Sequence, residues 1–246
     1  MANVPSSALD GAAVAAAELS AIVGALAASL TLPDATARAV SASCRRTALV
    51  AAPRIRSNAD VAAIAARLVA DVQATARAAA PGDASAALYA AAADTLGASP
   101  RSASPVLTRA YALARALAAA VEVACLGEAF LCEARTQFAD RPAASQARDR
   151  INEALDGAAD RIAAALRQEV LGVVLTAARQ CSAHLATEAT TLQPVVRGEA
   201  ARSFPSTALA FALYGDPTRA VDLVARNRVA TPLFMPATFE ALAPRS

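Results

Sequence analysis

Residues 151–181, INEALDGAADRIAAALRQEVLGVVLTAARQC, decide the fold class. Ile151, Leu155, Ala158, Ile162, Leu166, Val170, Val173, Ala177 and Cys181 step by three or four without a break, the period of one helix face. The spacing predicts a helix that starts after Asp140-Arg141-Pro142, runs to about Thr190, and needs a partner helix along its stripe. A second long helix is predicted from about Pro105 to Phe138, with Leu113, Leu117, Ala120, Ala124, Leu131 and Arg135 near one seam. The connection between the two is short, so they should pack antiparallel as a hairpin.

The N-terminal side follows the same pattern. A first helix capped at Ser6 or Ser7 should run to about Leu30, and a short second one to Ala52-Pro53. A third is predicted from an Asn58 cap to Ala80, with Val61, Ile64, Leu68 and Val72 on its stripe. Pro81-Gly82-Asp83 should end it, and a brief helix should span Ala84 to Leu96. Arg45, Arg46, Arg54 and Arg56 fit a solvated helix end, with a docking site for an acidic partner as the sharper alternative. The run from Gly97 to Pro105 has linker composition. The implied division is 1–104, an Ala-rich helical region; 105–192, a long helical hairpin; and 193–246, a small α+β module.

Composition agrees. Hydrophobic residues make up 56% of the 246, but much of that is alanine; aromatics are 4% and tryptophan is absent. Such a chain lines narrow helix seams and cannot fill a thick core. Net charge is +2, and every fixed cation is arginine, with no lysine anywhere. That balance gives no electrostatic reason to expect strong nucleic-acid binding. The four cysteines, Cys44, Cys125, Cys132 and Cys181, are expected to be buried free thiols. The stretch from Gly11 to Leu32 is apolar enough to raise a membrane question, but its alanine content and Glu18 favour burial against protein, and no secretory signal is expected.

No catalytic set holds together. The one histidine, His184, has only Glu188 on its own face, and no phosphate-binding glycine loop is present. Glu122, Glu128 and Glu133 are expected to form a solvated charged face, not a glycosidase pair. The reading is a non-enzyme with no metal or cofactor.

From Leu192-Gln193-Pro194 the texture changes. Val195 to Glu199 suggests a strand and Thr238 to Leu242 a second one. Ser206 is placed to cap a short helix, Thr207 to Leu213. Gly215 fits the residue after its end, Asp216 an N-cap and Pro217 the first position of the next helix. Tyr214 and Phe234 are expected to supply the apolar bulk, and Asn227 to lock the following turn.

The string from Ala208 to Pro236 resembles the C-terminal segment of the phage Mu-like DNA circularisation (or circulation) protein N family of tail and baseplate proteins. The resemblance is carried by Leu213-Tyr214-Gly215-Asp216, Arg219-Ala220, Leu223, Arg226-Asn227, Pro232, Phe234 and Pro236, and more weakly by the helical residues from Pro105. The same segment is similar to the second half of a LysM module. The resemblance implies a structural component of a contractile tail, at the baseplate hub or tube end. It would sit in the virion tail after assembly in the host cytoplasm and dock to hub, tube or tape-measure proteins and to copies of itself. The alternatives are a peptidoglycan-binding LysM-type module on a helical stalk and a DNA circularisation or protection protein. Two departures stand out. The family's β-rich first domain has no counterpart here, and Ala237-Thr238-Phe239 stands where the family has Pro-Gly-Gly.

Overall fold

The computed structural model describes residues 6–98, 100, 102 and 104–244. It is mainly helical, with ten helices and one two-stranded antiparallel sheet among the described residues. The chain divides into two compact units. The first comprises residues up to Thr136 with Arg148–His184; the second comprises Gln137–Ala147 with the residues from Leu185 onward. The boundaries at 147/148 and 184/185 fall inside the helices Arg141–Leu166 and Gln168–Thr191.

In the first unit, α1 (Ser6–Ser29) buries Ala8, Ala12, Ala15, Ala16, Leu19, Val23 and Leu26. It is the one described helix long and apolar enough to cross a bilayer, and here that small-residue face packs against protein. α2 (Asp34–Arg46) widens into a π turn at Thr47–Ala51 and tightens into a 3₁₀ turn at Ala52–Arg54. Arg56 closes this end by donating from Nη1 to the Pro53 and Ile55 carbonyls. α3 (Asn58–Ala78) buries the expected Val61, Ile64, Leu68 and Val72. Its cap is Ser57, not Asn58. The extended Ser57 forms a reciprocal box with Asp60: Oγ accepts from the Asp60 N–H at 3.3 Å, and the Asp60 carboxylate accepts from the Ser57 N–H at 2.9 Å. α4 (Pro81–Asp94) begins at the proline expected to end α3, because proline lacks only an N–H that the first turn leaves unused.

The helix expected from Pro105 is two, α5 (Pro105–Ala110) and α6 (Ala112–Arg135), joined at Tyr111, whose ring lies 3.7 Å from where a Cβ on Gly11 would stand. α6 packs on α1, α3 and α4. Its burial is not confined to a seam. Ala114, Leu117, Val121, Cys125, Ala129, Phe130 and Cys132 are all buried, whereas Leu131 is exposed. A helix apolar nearly all round belongs in the interior.

α7 (Arg141–Leu166) returns antiparallel along α6, joined by ion pairs from Arg150 to Glu133 and from Arg161 to Glu122. The hairpin is therefore present, but its second helix is not continuous. Arg167 adopts a left-handed conformation (φ 78°), and α8 (Gln168–Thr191) folds back along α7, with a hydrogen bond from Ser182 to Asn152. An unbroken helix over 142–190 would be roughly 75 Å long. The reversal changes which face is buried: Val174, Ala178, Cys181 and Leu185 go inside, and the predicted Val173 is 70% exposed. A non-glycine left-handed residue costs about 1–2 kcal/mol, less than burying these side chains returns at roughly 25 cal/mol per Å².

The second unit holds a strand–helix–helix–strand module: β1 (Val195–Glu199), α9 (Ser206–Tyr214), a 3₁₀ turn at Pro217–Arg219, α10 (Ala220–Asn227) and β2 (Thr238–Leu242). The strands pair antiparallel with Val195 opposite Leu242 and Gly198 opposite Phe239. A Cβ on Gly198 would stand 2.7 Å from the Phe239 ring, so only glycine lets that ring lie across the pair.

Candidate docking surface of the C-terminal module

The quoted motif residues are nearly all parts of turns. Leu213 and Tyr214 end α9. Gly215 then takes φ 68°, ψ 6° and its N–H donates to the Phe211 carbonyl at 2.8 Å, the left-handed stop expected of it. Asp216 caps the next turn, its carboxylate accepting from the Thr218 hydroxyl at 2.6 Å and the Thr218 N–H at 2.9 Å. Those bonds hold its pKa below the usual carboxylate value. The Tyr214 hydroxyl donates to the Leu242 carbonyl at 3.0 Å, fastening α9 to β2. The Arg219 guanidinium lies 3.8 Å from the Tyr214 ring centre and 3.7 Å from Asp222.

Asn227 does the most for its size. Its Nδ2 donates to the Leu223 carbonyl at 2.8 Å and the Glu240 carbonyl at 2.9 Å, and its Oδ1 accepts from the Glu240 N–H at 2.8 Å. It therefore ties α10 to β2 by side-chain bonding, while Arg228 takes the left-handed position (φ 50°). Arg226 pairs with Asp140 at 2.8 Å, and the other oxygen of Asp140 accepts from the Ala143 N–H at 2.9 Å at the start of α7. The Pro232 carbonyl accepts from the Ser206 N–H at 2.7 Å. Ser206 is thus the buried first residue of α9, and its side chain does not cap the helix.

The module core is Leu209, Ala210, Ala220, Leu223, Met235, Phe239 and Ala241, with Leu213 and Tyr214 at its edge. Phe234 was expected inside and is 68% exposed; its neighbour Met235 is fully buried instead. The Met235 N–H donates to the Phe204 carbonyl at 3.0 Å, and the Met235 carbonyl accepts from Ser203 at 2.7 Å; these two bonds set the loop so that Met235 turns inward. Pro236, next to it, is exposed. Phe211, Val221 and Leu233 are also more than 60% exposed. The result is a rigid small scaffold that leaves four large apolar side chains in water. An exposed large apolar group is more informative than a buried one.

No protein-family model matches this chain, and no curated protein sequence does either.

Elsewhere the three glutamates of α6 are not solvated. Glu122, Glu128 and Glu133 are all buried, each facing an arginine from another helix: Arg161 at 2.6 Å, Arg77 at 3.9 Å and Arg150 at 2.9 Å. A carboxylate among alanines is tolerated only when paired, which explains why a solvated face was the wrong expectation. All four cysteines are buried and free. Burial pushes Cys44 up to about 11 and Cys125 up to about 12, so neither thiol is a ready nucleophile. Among the described residues no three His, Cys, Asp or Glu side chains are grouped to hold a metal. His184 is an exposed residue of α8.

Sequence reasoning missed Met235, Phe239, Gly198 and Asp140. Phe239 and Ala241 alternate with exposed neighbours along β2 and were open to a period-two reading. Asp140 was treated as loop punctuation, and nothing in sequence ties it to a residue 86 positions away.

Proposed function

We propose that this chain is a structural component of a contractile phage-type tail, at the baseplate hub or tube end, docking to neighbouring tail proteins through its C-terminal module. One observation carries the reading: the motif residues Tyr214, Gly215, Asp216 and Asn227 serve to hold turns, while Phe211, Val221, Leu233 and Phe234 are left exposed. A scaffold that spends its polar groups on its own backbone and offers apolar side chains outward suits protein contact better than turnover of a substrate. The helical first unit, with its small-residue seams, suits a packing role beside it. Electron microscopy of tails made without this protein tests the proposal. Missing or incomplete baseplates are expected, and complete ones reject it. Phe234→Ser in the full chain should leave folding intact and reduce incorporation into tails.

The exposed phenylalanines also favour a second reading, glycan binding by a LysM-like module, since sugar rings stack on exposed aromatics. Sedimentation with insoluble peptidoglycan separates the two: retention of the wild type that Phe211→Ser and Phe234→Ser abolish supports the glycan reading, and its absence rejects it.

A further inference from the structure

Between α4 and α7, over the floor made by α6, runs a groove that none of the preceding functions uses. It consists of two adjoining cavities of about 480 and 260 Å³ that share Leu96, Glu122 and Arg161. The larger has walls of Ala93 from α4, Leu96 from the turn after it, and Ala154 and Gly157 from α7, with Leu126 beneath. Tyr89 closes that end, its hydroxyl shielded from water and without a hydrogen-bond partner. Burial, and after it the Glu133 carboxylate, raises the Tyr89 pKa, so the closed end stays neutral. A cavity of this size and lining is in the range that small ligands fill.

The opposite end is cationic. Arg115 borders the smaller cavity, is half-buried, and has no acidic partner among the described residues. Arg161 lines the same cavity; its Nη2 pairs with the buried Glu122 at 2.6 Å and its Nη1 donates to the Gly157 carbonyl, leaving Nε unengaged. Arg115 and Arg161 against Glu122 leave one uncompensated positive charge there. At the Tyr89 end Arg150 is taken up by Glu133 on both Nε and Nη2, and Glu153 stands on the rim.

Gly157 supplies a separate observation. It sits inside α7, where glycine weakens a helix relative to alanine. A Cβ there would meet nothing within 4 Å. Its carbonyl accepts from Arg161 Nη1, but no neighbour crowds its Cα; what the glycine provides is open space on the groove wall.

We propose that this groove binds a small amphipathic carboxylate, its alkyl body along the alanine and leucine walls toward Tyr89 and its carboxylate on Arg115 and Arg161. Apolar walls with a closed neutral end select the body; an unpaired, partly desolvated guanidinium selects the charge. Binding is non-covalent and independent of docking by the C-terminal module.

Titration calorimetry of the full chain with decanoate, below the concentration at which it forms micelles, tests this. Saturable binding at one site is expected, with decylamine weaker by about tenfold or more, as a charge reversal next to a guanidinium predicts. Gly157→Leu plugs the groove from a position with free space, and should abolish binding while circular dichroism and the melting temperature show an intact helical fold. Arg115→Gln should weaken decanoate about tenfold and leave the neutral decanamide unchanged. No saturable heat with the wild type, or equal binding by Gly157→Leu, overturns the site. Equal binding of decanoate by Arg115→Gln overturns the carboxylate assignment.

Discussion

The two units solve the same problem, fixing helices with few large side chains, by different means. In the first, buried acids on α6 meet arginines carried by other helices, as Glu133 does with Arg150 and Glu122 with Arg161. In the C-terminal module, Tyr214, Asp216 and Asn227 bond mainly to backbone or to residues two to four positions away. The first kind of link is set by how helices pack and leaves no short signature. The second is set by turn geometry, which demands particular residues in a particular order. A motif can therefore exist in the module and not in the helical body.

Four measurements test that contrast, and the largest effect belongs to the body. Phe130, fully buried and with its ring centre 6.4 Å from that of Tyr89, is one of its few bulky side chains. Phe130→Ala should cost about 3–5 kcal/mol in denaturant unfolding; a loss below about 1 kcal/mol would mean that the alanine seams carry the body alone.

The ion pairs should respond asymmetrically. Arg150→Ala strands the Glu133 side chain, which is 2% exposed, and should cost about 3 kcal/mol. Glu133→Leu leaves Arg150 free to turn to water from its half-exposed position and should cost about 1 kcal/mol or less. Equal losses in equilibrium unfolding would refute the idea that the acid is the confined partner.

In the module, Asn227→Ala removes two bonds between α10 and β2 and one to the Leu223 carbonyl within α10. A loss of about 1–2 kcal/mol is expected, with faster amide exchange at Glu240. Unchanged exchange there would break the claim that one side chain fastens the strand.

The smallest effect is shared by both units. Asp60 completes the capping box of α3 and Asp216 caps the turn before α10, and hydrogen bonds lower both pKa values, the Arg56 N–H foremost for Asp60 and Thr218 for Asp216. A folded pKa below the unfolded one gives stability that is complete above the ordinary aspartate value of about 3.9. That stability is lost as pH falls through the lower folded value. NMR titration of the Asp60 and Thr218 amides should show both transitions below that ordinary value; a midpoint above it would contradict the capping geometry.

How much of this was legible follows the same line. Gly215, Asp216 and both strands of the module could be placed from residue type alone, since left-handed stops, caps and β-branched runs depend on local chemistry. The stripe of α3 was legible because a single face of that helix is buried. The reversal at Arg167 was not, because neither a glycine nor a proline marks it and the periodic pattern runs across it. The burial of Glu122 and Glu133 was equally hidden, since their partners lie 39 and 17 residues away. Phe234 was expected inside and Met235 passed over because an irregular loop has no period to say which of two neighbours turns in. Of the groove between α4 and α7, sequence offers only scattered alanines and Gly157.

The shielding of all four thiols has a practical consequence. With lysine absent as well, ordinary amine and thiol reagents find little to modify on the folded surface. A single cysteine installed at Phe234 or Val221 would then carry almost all the reactivity of the chain. A photo-activatable tether placed there would capture whichever neighbour occupies that face, with all four native cysteines left in place.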